Sequence, residues 1–501
     1  MKARLASLLS LLLCSFCLYA QNPATLARVI HEAQQPSMLE QNLQVLTDEI
    51  GGRVPGTPAM NRAVGWGAAA FRAAGADKVS TELFTLPASW AEGDTRVEVV
   101  TPARFRVRAV SVAWAPALNT QRLRIVDVGN GTAAEFAKYG SLIDAVALVH
   151  SEPMSTWDDL FAEYLRAPAI VQNALQAKAG AIAFLSTREH DLLYRHIVSL
   201  NGEISPLPML IVAREDGLRL SRLLAQEQKV EADISIPNKI AGKTPTANVV
   251  AELTGSEHPE EWVLVGAHLD SWELGTGALD NGCNAALVID VLRALRSAGV
   301  KPRRSIRFVL FSGEEEGTLG SHAYVARHRD ELDNAAAVVI LDEGTGKIVS
   351  WSLGGRQDVL PEFRRLAEPL GAFNAGQSTL DAFYGTDNFD FLLEGVPTLV
   401  ANQEEANYLP NYHASSDTFD KVDFAELKKH VAITAALVYE LADAPERLGP
   451  RQSRAQIEEL LQRTHLDDQM KTFGYWEDWE KGDLGREPEK PKVKVITDRP
   501  E

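Results

Sequence analysis

Five near-continuous apolar runs, at 248–253, 262–266, 305–311, 336–341 and 396–401, alternate with helical stretches in the second half of the chain. Runs of this length without polar alternation are what strands buried on both faces look like. Between them Val288, Val291, Leu292 and Leu295 recur at helical spacing, Gly299 stops that helix, and 425–441 reads as another long helix. Strand and helix in regular turn admit few arrangements. The expected fold class is α/β, a doubly wound, mostly parallel mixed sheet with its ligand crevice at the strand carboxyl ends.

Upstream, Thr57-Pro58 offers an N-cap followed by proline at the first helical position, and Gly75 closes 58–74 in the manner of a C′ glycine. A Val- and Arg-rich region runs on to about Thr120. Strand signals at 123–128, 145–149, 181–185 and 209–212 then alternate with helical ones at 170–178 and 216–226. Residues 118–242 are therefore expected to form an inserted small α/β domain with its own core, and 236–245 the linker out of it. The main domain would comprise 21–117 and 243–446. Residues 447–501 would be a C-terminal extension, an amphipathic helix followed by a charged, Pro-containing run at 482–501. Trp476 and Trp479 are placed to dock it onto the body or onto another subunit, as in a homodimer.

Lys2 and Arg4 precede an apolar stretch from 5 to 18 with Ala20 beyond it, the pattern of a signal peptide over 1–20 and of a periplasmic or secreted protein. Cys14 and Cys17 would leave with it, so Cys283 would be the mature chain's one cysteine and no intramolecular disulfide is available. No internal run approaches the roughly 20 apolar residues of a membrane span. With 50 basic and 68 acidic residues the formal charge is −18, which lacks the basic footprint of nucleic-acid binding.

Acidic residues and histidines fall where such a sheet would present them. His268-Leu-Asp270 follows the second apolar run, Asp280 sits in the Gly-rich turn 275–284, and Glu314-Glu315-Glu316 follows the third run. Asp342 follows the fourth run, and His413 lies in a loop after the fifth. Taken singly, each has a plain reading: a surface His-x-Asp pair, a solvated helix start favoured by the dipole, a strand-end turn, a loop histidine. Together they gather carboxylates that repel unless cations compensate. Imidazole and carboxylate ligands suit zinc or a similar divalent ion. Five ligands with one shared carboxylate make two open three-ligand sites, able to clamp a water and a substrate oxygen.

His268-Leu-Asp270, Gly277-Ala-Leu-Asp-Asn281, Phe311-Ser-Gly-Glu-Glu-Glu-Gly317, Asp342 and Tyr412-His-Ala-Ser-Ser-Asp-Thr418 together resemble the motif set of the co-catalytic di-zinc exopeptidases. The stretch 248–272 is most similar to the carboxypeptidase Q branch, and 118–242 sits where such enzymes carry a protease-associated type of insert. The resemblance implies two Zn²⁺ per chain, with His268 and Asp342 on one, Glu315 and His413 on the other, and Asp280 bridging. It implies Glu314 as general base, and Asp270 as acceptor from the distal nitrogen of His268. The implied substrate is a dipeptide or the terminus of a short peptide.

Asn281 and Leu279 stand where the carboxypeptidase Q branch and the aminopeptidases, respectively, carry Asp, which leaves the preferred terminus open. Tyr384 and Asp387 are candidate substrate residues, the alternative being a helix N-cap at Asp387 beside a packed tyrosine. Cys283 reads as a small buried residue, since no histidine relay accompanies it. Other readings on the same scaffold are a single-metal enzyme like the glutaminyl cyclases and a non-catalytic peptide-binding relative.

Overall fold

The structure, a computed structural model, describes residues 23–488; the signal-peptide reading at 1–20 and the end of the charged run at 482–501 lie outside them. An eight-stranded sheet runs in the order Lys78–Leu86, Thr244–Leu253, Arg304–Phe311, His258–His268, Ala335–Ile340, Thr398–Gln403, Ile348–Ser352, Gln377–Thr379. The central strands Arg304–Phe311, His258–His268, Ala335–Ile340 and Thr398–Gln403 are mutually parallel, with antiparallel pairings on either flank.

Alternation along the strand His258–His268 shows why the run is apolar throughout. Val263, Val265 and Ala267 enter one core with the helices Cys283–Ser297 and Phe424–Asp443, while Trp262 and Leu264 enter another with Tyr324 and Phe391. Both faces are covered, as expected of a doubly wound sheet. The helix Cys283–Ser297 ends before Gly299, whose φ of 64° is the left-handed value a helix stop requires. Thr57 caps Pro58–Ala73 by accepting from the Met60 N–H at 3.4 Å.

The chain passes from His258–His268 to the strand on one side of it, then crosses over to the strand on the other side. That reversal opens a crevice beyond the carboxyl ends of the central strands, where open α/β sheets bind ligands.

A second eight-stranded sheet has the order Phe105–Val107, Arg96–Thr101, Glu231–Ile236, Leu118–Asp127, Ala145–Val149, Ala181–Leu185, Met209–Val212, Ala109–Ser111. It has its own apolar cores on its two faces. It begins upstream of residue 118: three short strands between 96 and 111 belong to it. Phe105–Val107 and Ala109–Ser111 are its two edges and Arg96–Thr101 lies one place in, paired on both sides; pairing defines them, not local pattern. The segment 236–245 is not a bare linker, because Lys239–Ala241 pairs with Ser89–Ala91 as the chain enters and leaves this sheet. The helix expected at 170–178 runs over Trp157–Gln176, with Pro168 inside it and a Thr156–Asp159 capping box at its start. Among the described residues no helix is long and apolar enough to cross a membrane.

Glu261, on the strand His258–His268, ties the sheet to the region after the last long helix. Its two oxygens accept from Arg447 and Arg304, each at 2.6 Å. The Arg447 hydrogen bond above all, with Arg304 behind it, holds the carboxyl down at about 2. Because the folded value is depressed, the contribution is complete above the ordinary carboxylate range and drains as pH falls toward 2. Glu261→Gln is expected to cost on the order of 1–2 kcal/mol at pH 7, less than the full shift because water screens the pair, and roughly half of that at pH 3.5. Urea unfolding of both proteins at the two pH values measures this; an equal cost at both would refute it.

Candidate metal centre

His268 is the last residue of its strand and is 1 % exposed. Its Nδ1 lies 3.0 Å from the main-chain oxygen of Asp270 and, facing a carbonyl, must donate there. That leaves the Nε2 lone pair directed at Asp280 Oδ1 at 3.1 Å and Asp342 Oδ1 at 3.0 Å. His413 repeats the arrangement. Its Nδ1 donates to the Arg195 carbonyl at 3.2 Å, and its Nε2 faces Asp280 Oδ2 at 3.2 Å and Glu315 Oε2 at 2.8 Å. Each imidazole presents a lone pair to two carboxylate oxygens, and the two oxygens of Asp280 serve one histidine each. Such a convergence of lone pairs is stable only around positive charge.

The same demand shows in the protonation energetics. Burial opposes the charged imidazole of His268, but Asp342 and Asp280 outweigh it and raise the group well above its usual range. Burial also opposes protonated His413, yet Glu315 and Asp280 lift it to about 9. Burial pushes Glu315 up to about 7, and it pushes Glu314 well up with help from Asp342 and Glu315. Glu315 Oε1 has no hydrogen-bond partner. Imidazole nitrogen with carboxylate oxygen is the donor set of zinc and similar divalent ions, and these residues fit it.

The support of the cluster departs from expectation at Asp270. The strand ends at His268, so two-residue alternation no longer aims the Asp270 side chain at the imidazole; its Oδ1 is 3.7 Å from Nδ1. The carboxylate instead accepts from the N–H groups of Glu314 at 3.3 Å and Glu315 at 3.2 Å, pinning the acidic loop.

Glu316 is buried, and neither of its oxygens meets a donor outside its own residue. The acidic run is therefore not a solvated helix start; the next helix begins only at Leu319. Asp387 is fully buried behind the crevice wall and makes no side-chain cap to the helix Asn388–Leu393. Cys283 is buried, with Sγ 3.4 Å from the Leu279 oxygen.

Two residues that carry the site were not singled out by sequence reasoning. Asp417 accepts from the N–H groups of Ala278, Leu279 and Asp280 at 3.1, 2.7 and 3.2 Å, holding the turn that presents Asp280. Its signal was the motif 412–418, read only for His413. Arg53 is fully buried and donates to the carbonyls of Leu269 at 2.6 Å, Thr276 at 2.8 Å and Gly277 at 2.8 Å. It joins the loop after His268 to the loop before Asp280. The Asp280–Asn281 peptide is cis.

The loop carrying His413 is also clasped by the second sheet's domain. Arg195 N–H donates to the His413 carbonyl at 2.8 Å, and Ser415 N–H to the Leu193 carbonyl at 3.0 Å. The Tyr412 ring stacks on His413 with centroids 3.6 Å apart, and the Tyr164 hydroxyl reaches Tyr412 at 3.3 Å.

The cluster opens into a cavity of about 150 Å³. Asp280, Glu314, Glu315, Asp342, Glu343 and His413 line its floor, and aromatic residues including Trp157, Phe161, Tyr384 and Tyr408 line its walls. No lysine or arginine lines it among the described residues.

A strand-end crevice holding histidines against shared carboxylates defines a metal-dependent hydrolase. Residues 248–438 match peptidase family M28, and the chain is a metallopeptidase. It is similar to carboxypeptidase Q of Mus musculus, 26 % identical over 423 residues that span 81 % of this chain and 86 % of the relative. The crystal structure of a peptidase M28 precursor from Shewanella amazonensis SB2B matches with a TM-score of 0.75 at 26 % identity, covering 86 % of this chain and 98 % of that one. The zinc aminopeptidase BSAP of Bacillus subtilis shares the fold, with a TM-score of 0.64 at 20 % identity over 83 % of this chain and 97 % of its own.

Proposed function

We propose that the chain is an exported exopeptidase that carries two zinc ions and cleaves dipeptides or the terminal residues of short peptides. His268 and Asp342 would hold one ion, Glu315 and His413 the other, with Asp280 shared. The observation that carries this reading is the pair of Asp280 oxygens, each facing the Nε2 of a different buried histidine. When bound, zinc would lower the pKa of a water and polarise the peptide carbonyl.

The chain's own residues supply the rest. Glu314 reaches the cluster with Oε2 4.0 Å from His268 Nε2 and also lines the cavity, which suits it to take a proton from water and return it to the leaving amine. Asp270 keeps Glu314 and Glu315 apart in their roles by fixing both of their N–H groups. The aromatic walls exclude water and favour an apolar side chain beside the scissile bond. The second sheet, with its parallel centre and separate cores, is read as the inserted domain of protease-associated type.

The lining also bears on which terminus is read. A C-terminal carboxylate is ordinarily held by a guanidinium or ammonium, and none lines this cavity. Glu343, on the floor beside Asp342, adds a further carboxylate. This favours substrates with a free α-amine. We expect a panel of free, N-blocked and C-amidated dipeptides, assayed with Zn²⁺ and with chelator, to show zinc-dependent cleavage that N-blocking abolishes and C-amidation spares. Cleavage that survives N-blocking but not amidation would reverse the assignment of the terminus. A lack of any zinc-dependent cleavage would remove the enzyme reading.

A further inference from the structure

The C-terminal extension is built into the crevice, not attached beside it. It lies beyond residues 248–438, the part matched by the peptidase family, and folds as the helices Arg454–Arg463, Leu466–Phe473 and Trp476–Lys481. Leu460, Leu461, Leu466, Met470 and Trp479 are all at most 2 % exposed, packed with Tyr384, Phe389 and Leu393 of the body. Of the two tryptophans, Trp479 is thus docked on the chain itself. Arg454 lies over the Trp479 ring at 3.8 Å, and Arg486 N–H donates to the Leu393 carbonyl at 2.9 Å. Burial of this extent makes the extension a fixed wall.

The wall faces the metal cluster. Gln469 and Phe473 line the same cavity as Glu314, Asp342 and His413. Gln469 Oε1 accepts from the Tyr384 N–H at 3.1 Å, and the Phe473 ring packs on Tyr384 with centroids 5.4 Å apart. The helix Leu466–Phe473 also meets the insert helix Trp157–Gln176. Just beyond it, the Tyr475 hydroxyl receives the Tyr384 hydroxyl at 2.9 Å and donates to the Leu200 carbonyl. Three distant segments of the chain are thereby joined in a ring around the cavity: the insert, the loop at 383–386 and the extension.

We propose that Phe473 and Gln469 are specificity-determining residues that close the crevice against long substrates and restrict it to short, di- to tripeptide-sized ligands. This rests on the exopeptidase reading and adds the substrate's length. Phe473 supplies an apolar surface to the substrate, and among the described residues Gln469 is the polar side chain that the extension contributes to the cavity lining.

The test is a ladder of peptides with leucine followed by one to five alanines, both ends free. It is assayed on the zinc-loaded full chain and on Phe473→Ala, Phe473→Leu and Gln469→Ala. Wild type is expected to prefer the dipeptide. Phe473→Ala is expected to raise the hexapeptide-to-dipeptide ratio of kcat/KM by about tenfold or more, the effect of an altered apolar pocket contact, mainly through KM. Phe473→Leu, which keeps the apolar packing, is expected to fall between, and Gln469→Ala to shift the ratio in the same direction. Calorimetric binding of the dipeptide and hexapeptide to Glu314→Gln, with and without Phe473→Ala, reads the same discrimination without turnover. A ratio within twofold of wild type in all three variants, with unchanged melting temperatures, would overturn the proposal. So would equal binding of both lengths to the Glu314→Gln protein. Length-selective binding without cleavage by wild type would uphold the wall and defeat the enzyme reading instead.

Discussion

Glu314→Gln is expected to keep its metal and lose turnover by about 10²–10⁴-fold, the usual worth of a positioned acid–base group. The substitution preserves volume and leaves untouched the N–H of Glu314 that Asp270 fixes. It removes only the capacity to accept a proton. Glu314 groups with His268 and Asp342 but sits farther out, at 4.0 Å from His268 Nε2 against 3.0 and 3.1 Å for Asp342 and Asp280. Metal content should therefore stay at the wild-type value while kcat falls. Elemental analysis together with steady-state kinetics on a free dipeptide decides this. Loss of metal in step with activity would make Glu314 a ligand, and undiminished hydrolysis would remove it from the base role.

Asp280→Asn is expected to do more damage through a different route. Each oxygen of Asp280 faces a different histidine, so the asparagine amide would turn N–H groups toward one of two lone pairs that need a cation. The variant also loses one negative charge where the proposed pair of cations would need it. We expect zinc to fall from two per chain to one or fewer. Activity should drop well beyond the roughly 10–100-fold that loss of an outer hydrogen-bond partner costs. The three N–H groups on Asp417 should still hold the turn, so the fold survives. Two zinc ions per chain with activity within tenfold of wild type would defeat the shared-carboxylate arrangement.

The central sheet was legible because parallel strands covered on both faces must be apolar along their whole length, and 262–266 and 336–341 are. Given those strands, the crevice and the acidic and histidine residues at its edge followed. The structure brings Asp280, Glu314, Glu315, Asp342 and His413 to the crevice lining, with His268 bonded to Asp280 and Asp342 and itself buried, Tyr384 also lining the crevice, and Asp387 buried. What stayed hidden depends on contacts between distant segments. Arg53 acts through its bonds to residues 269–277, which no local pattern announces. The resemblance assigned Asp270 to the imidazole of His268, but the strand ends two residues before it and its carboxylate turns to the Glu314 and Glu315 N–H groups. The strands at 96–111 are short elements at or next to a sheet edge, and the tail at 466–473 looked like any amphipathic helix until Tyr384 was placed against it.

The clasp between residues 193–195 and the loop around His413 has a consequence for how that imidazole is held. One of the two histidines is oriented by the carbonyl of Arg195, which lies in the segment that builds the second sheet, so its Nε2 is aimed at Asp280 and Glu315 only where that segment is seated against the loop. On the proposed two-ion reading, loosening that clasp would free the imidazole to turn and would weaken the site that Glu315 and His413 are to share.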